Sequence, residues 1–535
     1  MSRRIVVIGH GMVGSRFICD LLARDPQARI TVLGAEGYAP YNRVLLSDVV
    51  AGKIELAGLE LESAHGPGLL VRTGSEALAI DRAGRTVVTA DGAYPYDTLV
   101  LATGARAGIP AGLDGDCLPP GVHALRTLDD AREIVAATAN AQRAVIVGGG
   151  VLGVEIATGL AGRGLSVDLV YPGAGVMTRQ LGTEAAAVAD AALRGQGIRT
   201  WPGSETRHIE ANGKGVEVGL NRGGDLTGHR LAADLVVLAC GTLANTSLAQ
   251  SAGLSTDRGI VVGPDLASMD DRSIYAIGDC AQPPEGSTGL VAQGWDQARR
   301  LATALTSSAH QHAQRGDAGP GPTRPSLAVR LGLGLVSRPV PDATGEPAPA
   351  EVAGTDIVRA KTAGISIVTM GVCGSGHHAD DLRSVRLADP IAGRYVEVVV
   401  SGERLVGATC IGAPELAADL TASYTRRTPV PRDPAHLLVQ PVAAAAVASS
   451  PEHMPDSATV CTCNSVSKAD IVTCWHQGAR TQEQIARATR ASTGCGGCTA
   501  AVCGIADWLA AGAPENLADE TRPQHRRHTR ETARR

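Results

Sequence analysis

Two glycine-rich turns of one pattern, the first near the N-terminus and the second well inside the chain, limit what this sequence can fold into. Gly9-His10-Gly11-Met12-Val13-Gly14 follows the apolar run 5–8, and Gly148-Gly149-Gly150-Val151-Leu152-Gly153 follows the apolar run 144–147. Each run is short enough for a buried strand, and each turn opens a segment of helix length. In that context the glycines permit a tight turn and a close backbone approach to a pyrophosphate, whose charge the helix N-terminus holds. A single turn of this kind is weak evidence, because glycines also serve close packing alone. Two of them, each between a strand and a helix, predict two dinucleotide sites in one chain.

A length of 535 residues exceeds one hydrophobic core and allows three or four domains. The formal net charge of −5 argues against a nucleic-acid binder. No run approaches the roughly 20 apolar residues that cross a bilayer. Residues 5–8 run straight into glycines and are too short for a signal-peptide core, so a cytoplasmic protein is expected. Twelve cysteines in a reducing compartment do not suggest a disulfide framework, and an ordered cluster of them points to metal or redox chemistry. Aromatic residues make up only 2%, with Phe17 the single Phe, so the cores are packed from Ala, Val, Leu and Ile.

Short apolar runs at 5–8, 30–33, 98–101, 144–147, 167–170 and 235–239 alternate with helix-length segments. That alternation predicts parallel sheets covered on both faces, continuing to about residue 308. Residues 307–324 are rich in Gly, Pro, His and Gln and read as an exposed connection. Between 327 and 438 the character changes: 395–400 and 405–408, separated by Gly402-Glu403-Arg404, predict two antiparallel strands around a turn. A Pro-rich stretch at 339–349 reads as a loop. Residues 441–456 read as a linker, and the arginine-rich end as a disordered, solvated tail.

Near the C-terminus, Cys461-Thr462-Cys463 and Cys495-Gly496-Gly497-Cys498 form CxC and CxxC loops. Four thiolates from two short loops can enclose one small metal site. A helix expected from about 497 to 509 would aim its positive end at that site. Ser467 with Asp470, and Thr481, read as helix N-caps between the loops. Cys474 and Cys503 fall within the expected helices as bystanders. Four cysteines suit Zn²⁺ as well as an iron–sulfur cluster, and spacing alone leaves both open.

Residues 97–106 and 274–281 resemble the two remaining FAD signatures of the pyridine-nucleotide-dependent flavoprotein reductases. The resemblance implies an α/β protein with two Rossmann-like domains, the NAD(P)H domain (113–240) inserted between the FAD-binding parts (1–112 and 241–310). It adds an α+β interface domain at 325–440, the linker 441–456, a small helical cluster domain at 457–512 and the tail 513–535. FAD would meet Gly9, Gly11, Met12, Val13, Gly14, Thr103, Gly104, Gly278 and Trp295, with Asp279 at the ribityl or phosphate region. NAD(P)H would meet Gly148, Gly150, Val151, Leu152, Gly153 and Gly241, with Glu155 near the nicotinamide. The acid for the adenosine ribose usually follows a glycine such as Gly34 directly, but here Ala35 intervenes and Glu36 takes the role. At the second site, Val170-Tyr171-Pro172 carries no acid, and Arg179 is the nearest cation, so the choice between NADH and NADPH stays open.

Residues 38–47 lack the cysteine of disulfide- and peroxide-reducing relatives. They resemble instead the Tyr-Asn/Asp-Arg stretch of the ferredoxin-reductase-like and nitrite-reductase branches. That resemblance puts Arg43 on FAD, the alternative being an Arg on a solvated helix start. The cysteine loops resemble the [2Fe–2S] domain of bacterioferritin-associated ferredoxin, which makes Cys461, Cys463, Cys495 and Cys498 the ligands. The order of modules resembles the flavoprotein half of bacterial nitrite reductase large subunits and the electron-transfer subunit of assimilatory nitrate reductase. It implies hydride entering at FAD and single electrons leaving through the cluster. With no room for a sirohaem domain after residue 512, the expected acceptor is a separate nitrate- or nitrite-reducing catalytic subunit. Two alternatives remain: a module that docks on an iron-storage shell or senses iron, with ferric reductase activity, and a generic ferredoxin or rubredoxin reductase. Residues 327–438 are a candidate homodimer interface.

Overall fold

The apolar runs become the central strands of two parallel sheets. In the first, the order is Ile274–Ala276, Thr98–Leu101, Arg4–Ile8, Arg29–Gly34 and Leu69–Thr73, all parallel. In the second it is Arg199–Trp201, Ser166–Val170, Arg143–Val147, Leu235–Leu238 and Val122–Ala124, again all parallel. The edge strand Ile274–Ala276 returns to the first sheet after the second is complete, so one α/β fold is inserted in the other. A near-continuous apolar strand is what a sheet buried on both faces requires. In Arg143–Val147 the period of two is visible: Ala144 and Ile146 pack in one core, Val145 and Val147 in another.

This computed structural model describes residues 3–61, 63–113, 115, 117–213, 215–222, 225–307, 356–373, 382–438, 451–456, 458–461, 466–492 and 498–511. It divides into two units, Met1–Val442 and Ala443–Arg535. The Pro-rich loop at 339–349, the tail 513–535 and much of both linkers lie outside the described residues. Each parallel sheet carries an antiparallel three-stranded companion, Ala77–Asp81, Thr86–Thr89 and Gly92–Pro95 for the first, and Ser204–Asn212, Gly215–Arg222 and Asp225–Ala233 for the second. The chain crosses between the two folds on the short antiparallel pair Ala105–Ala107 and Thr242–Ala244.

A further five-stranded sheet, antiparallel throughout, has the order Val358–Ala360, Ile367–Gly371, Arg404–Ile411, Arg394–Ser401 and Leu382–Asp389. The expected pair around Gly402 is its centre, longer at each end than the sequence suggested, and helix Pro414–Arg426 covers it. Val358, Ile365, Ile367, Tyr395 and Ile411 join the core of the inserted sheet, so this domain is bonded to the rest of its unit by shared apolar packing. The second unit holds helices Lys468–His476, Gln482–Thr489 and Thr499–Ala511 around Ile471, Trp475, Ile485 and Val502. Ser467 and Thr481 cap the first two, in capping boxes with Asp470 and Gln484. Among the described residues no helix is long and apolar enough to cross a membrane.

Candidate functional site

The first glycine turn shapes a cleft of about 1140 Å³. Gly9 sits at φ +108°, where a Cβ would overlap the carbonyl of Ala102, and a Cβ on Gly14 would overlap the carbonyl of Gly9. Those two glycines fold the turn back on itself. Gly11, the N-cap of helix Met12–Arg24, is less crowded: a Cβ there would meet only Arg43 Nε, at 3.9 Å, and no side chain caps the helix. The cleft is lined by Gly9, Gly11, Met12 and Val13 from the turn and by Glu36 and Arg43 beyond the second strand. Thr103 and Gly104 line it at the crossover, with Gly278 and Asp279 on the return. Gly14 and Trp295 are not on its surface. Trp295 is buried behind it, where its Nε1–H donates to the Met12 carbonyl at 3.4 Å, and thus supports the turn.

Several charges on the cleft wall are paired. Arg43 forms an ion pair with Glu36, whose other oxygen accepts from the Tyr41 hydroxyl at 2.7 Å. That hydroxyl in turn accepts from Leu128 N–H at 3.0 Å, and burial pushes its pKa well above the usual phenol range. Arg43 is therefore a partly buried, paired side chain and not an Arg on a solvated helix start. The sequence reading missed Arg126. Its Nη2 donates to Asp279 at 2.6 Å and its Nε to the Ala105 carbonyl at 2.8 Å. A signal existed: Thr127 and Asp130 form the capping box of helix Leu128–Thr138, which fixes the residue just before the cap on the cleft.

Does a flavin dinucleotide suit this cleft? The uncapped helix start offers backbone N–H groups to a pyrophosphate, and no Cβ blocks the approach at Gly11. His10 Nδ1 is buried without a hydrogen-bond partner on the cleft wall, and burial lowers the ring's pKa, so a neutral imidazole awaits a polar partner. The residues present fit the group. Gln293 ties the loop beside the cleft: its Oε1 accepts from Thr288 N–H at 2.8 Å and its Nε2–H donates to the Gly286 carbonyl at 2.8 Å.

The second turn repeats the construction. Gly148 lies at φ +119° against the Ala239 carbonyl, Gly153 against the Gly148 carbonyl, and Gly150 is an open N-cap without a side-chain cap. Val151 and Leu152 begin the helix Val151–Gly162. Gly241 lies at φ +87° where a Cβ would meet open space, and its carbonyl accepts from Gly108 N–H at 2.8 Å. These features suit a second dinucleotide. Where an acid would face its ribose stands Tyr171, buried beneath Gly149, its hydroxyl donating to Asp190 at 2.8 Å. Met177 N–H bonds to the Gly149 carbonyl at 2.7 Å, which carries the loop with exposed Arg179 alongside the turn. Glu155 is buried, does not line the large cleft, and is held by Ser47 and Lys361.

In the second unit, Cys461 ends strand Thr459–Cys461 and Cys498 stands immediately before helix Thr499–Ala511. Both are buried in one small core with Ile471, Trp475 and Val502. Ser492, at φ +67°, donates its N–H to the Cys498 sulfur at 3.2 Å. Cys463 and Cys495 lie outside the described residues, and among the described ones no group of three or more metal-ligating side chains occurs. Two buried thiols in one core, one at a helix start and receiving an N–H, are a donor set suited to an anionic cluster. Cys474 and Cys503 lie in helices, as expected from the sequence.

Residues 3–312 match the family model described as pyridine nucleotide-disulphide oxidoreductase, and residues 459–507 match the BFD-like [2Fe–2S] binding domain. The chain is 29% identical over 504 residues to a nitrite reductase (NAD(P)H) of Bacillus subtilis (strain 168), covering 93% of this chain and 56% of that protein. It is 28% identical over 503 residues to the assimilatory nitrate reductase electron transfer subunit of the same strain, covering 93% and 58%. The chain spans about half the length of the curated relatives it matches. Among solved structures, a ferredoxin reductase of Rhodopseudomonas palustris superposes with a TM-score of 0.60 at 25% identity, over 78% of this chain and 95% of that one. The putidaredoxin reductase–putidaredoxin complex shares the fold, with a TM-score of 0.64 at 24% identity over 81% of this chain and 95% of that one.

Proposed function

Because the chain belongs to the pyridine nucleotide-disulphide oxidoreductase family, we propose that it passes electrons from NAD(P)H, through FAD and a [2Fe–2S] cluster, to a separate subunit that reduces nitrate or nitrite. The chain is an NAD(P)H-dependent oxidoreductase with FAD, the pyridine nucleotide and the [2Fe–2S] cluster as cofactors. The observation that supports the wider reading is the continuous match, over 93% of the chain, to a protein named as an electron transfer subunit of assimilatory nitrate reductase.

A flavin bound between a hydride donor and a one-electron carrier supplies the conversion from electron pairs to single electrons. The chain's own residues bind and orient. Gly9, Gly11 and Gly14 shape the first turn, Glu36 and Arg43 hold the adenosine side, and Thr103, Gly104, Gly278 and Asp279 hold the middle of the dinucleotide. Gly148, Gly150 and Gly153 receive the pyridine nucleotide, while Cys461, Cys463, Cys495 and Cys498 hold the cluster. Among the described residues no cysteine pair lines the cleft: Cys117 is the one cysteine of that lining, and Cys280 is buried behind it, donating to the Ile277 carbonyl. The reaction belongs in the cytoplasm, where reduced pyridine nucleotide is available.

The test is Cys495→Ser in the full chain, with iron, zinc and flavin assayed on the purified protein. NAD(P)H should still bleach the flavin at near the parental rate, while electron delivery to the nitrate- or nitrite-reducing subunit falls at least a hundredfold. Zinc in place of iron, or equal loss of flavin bleaching, would sink the proposed order of carriers.

A further inference from the structure

Glu155 lies at a junction of three segments far apart in sequence. It is only 4% exposed and points from helix Val151–Gly162 toward helix Leu46–Val50 and the loop after strand Val358–Ala360. Its Oε2 accepts from Ser47 Oγ at 2.6 Å and from Lys361 Nζ at 2.6 Å, and its Oε1 accepts from the Lys361 backbone N–H at 2.8 Å. Three donors thus occupy one carboxylate, two of them from a single lysine. The Lys361 carbonyl accepts from Lys53 Nζ at 3.1 Å, and Lys53 also faces Asp48 at 3.5 Å. Two buried acids and two lysines balance.

The junction is mechanically short at both ends. On one side, Arg43 and Val44 line the flavin cleft, and Ser47 follows one helical turn later. On the other, Glu155 is five residues beyond the Gly150 N-cap, roughly 7–8 Å along a rigid helix. One turn further, Gly159 packs against Ala51 with no room for a Cβ, and Arg163 Nε donates to the Val50 carbonyl at 2.6 Å. The loop carrying Lys361 is fixed in turn, because Gln196 Nε2 donates to the Ala363 carbonyl at 2.8 Å.

We infer that Lys361 is a positioning residue for hydride transfer, holding Glu155 so that the helix behind the second glycine turn keeps its angle to the flavin cleft. Hydride transfer depends on alignment more than on acid–base help, and a misplacement of about 1 Å costs on the order of a hundredfold. A domain with no glycine turn of its own thereby sets the geometry between the two that have one. Such an arrangement differs from Glu155 acting on the nicotinamide directly, because both its oxygens are already engaged. The inference requires the family's NAD(P)H-to-flavin step and is independent of the final acceptor.

Lys361→Met and Lys361→Arg in the full-length, flavin-loaded protein separate the outcomes. Hydrogen exchange is followed on residues 151–162, and flavin reduction at saturating NAD(P)H is followed by stopped flow. For Lys361→Met we expect exchange in that helix to rise at least tenfold and the reduction rate to fall ten- to a hundredfold. Nucleotide affinity should stay within about threefold. Lys361→Arg should recover most of the rate, since a cation again reaches the carboxylate. Glu155→Gln, which keeps the shape and removes the charge, should show the same pattern with bound flavin retained. Unchanged exchange with an unchanged rate would overturn the inference, as would a loss confined to nucleotide affinity. A loss of acceptor reduction with normal flavin reduction would instead count against the proposed function and leave this inference standing.

Discussion

Arg126 Nη2 donates to Asp279 Oδ2 at 2.6 Å, joining the residue at the entrance to the inserted fold to a residue on the chain's return from it. The pair closes the first fold around its insertion, and it does so on the wall of the cleft. The guanidinium also reaches the Ala105 carbonyl through Nε, so two of its three nitrogens are set by groups from different segments.

Replacing Arg126 with Ala is expected to loosen the flavin. Hydrogen bonds to charged groups contribute about 1.5–3 kcal/mol, which corresponds to roughly ten- to a hundredfold in affinity. The dissociation constant for FAD, read from flavin fluorescence on dilution, should rise by that factor. Arg126→Lys should recover only part, because one ammonium cannot reproduce the fork that reaches Asp279 and Ala105 together. Unchanged FAD retention in Arg126→Ala would show that the pair is incidental.

The two turns are built alike, and their failures should be separable. In Gly148→Ala the new Cβ meets the Ala239 carbonyl at a backbone φ of +119°, so the turn must shift. The purified variant should keep its bound flavin yet lose NAD(P)H-dependent bleaching at least a hundredfold. Gly9→Ala, which meets the Ala102 carbonyl at φ +108°, should be isolated depleted of flavin. The reverse pattern would exchange the two nucleotide assignments.

Asp234 predicts an acid dependence of stability. It receives N–H bonds from Gln142 and Arg143 and the Arg143 guanidinium at 2.8 Å, and that pairing pulls its carboxyl down to about 2. A carboxyl depressed in the folded state contributes stability that is fully present above its unfolded value near 3.8. The contribution is lost as pH falls from about 4 toward 2. The pair is partly solvated, so the effect is about 1 kcal/mol after screening. Urea midpoints of Asp234→Asn should lie below the parent at pH 6 and converge with it only as pH approaches about 2. A gap that persists at low pH would assign the cost to lost packing.

The sequence alone determined the strand–turn–helix units and the cysteine loops, because these are local. A glycine that must adopt positive φ, an apolar run of buried-strand length, a cap such as Ser467 with Asp470, and a CxC or CxxC spacing are written within a few residues of each other. It also carried the inserted order of the folds, through signatures at 97–106 and 274–281 that flank the insertion. Several things were legible only in three dimensions. The edge strands Leu69–Thr73, Val122–Ala124 and Arg199–Trp201 are short, and a ladder partner rather than their own pattern makes them strands. Arg126 is marked only by the capping box that follows it, and only the chain's return brings Asp279 to it. The sequence places Glu155 one turn into the second helix, near the expected nicotinamide. The tertiary structure decided that it is saturated by Ser47 and Lys361, residues 108 and 206 positions away. Pairing of buried charge is a property of the packed interior, since a buried carboxylate takes whichever donors the fold brings within reach, and no spacing in the sequence specifies those donors.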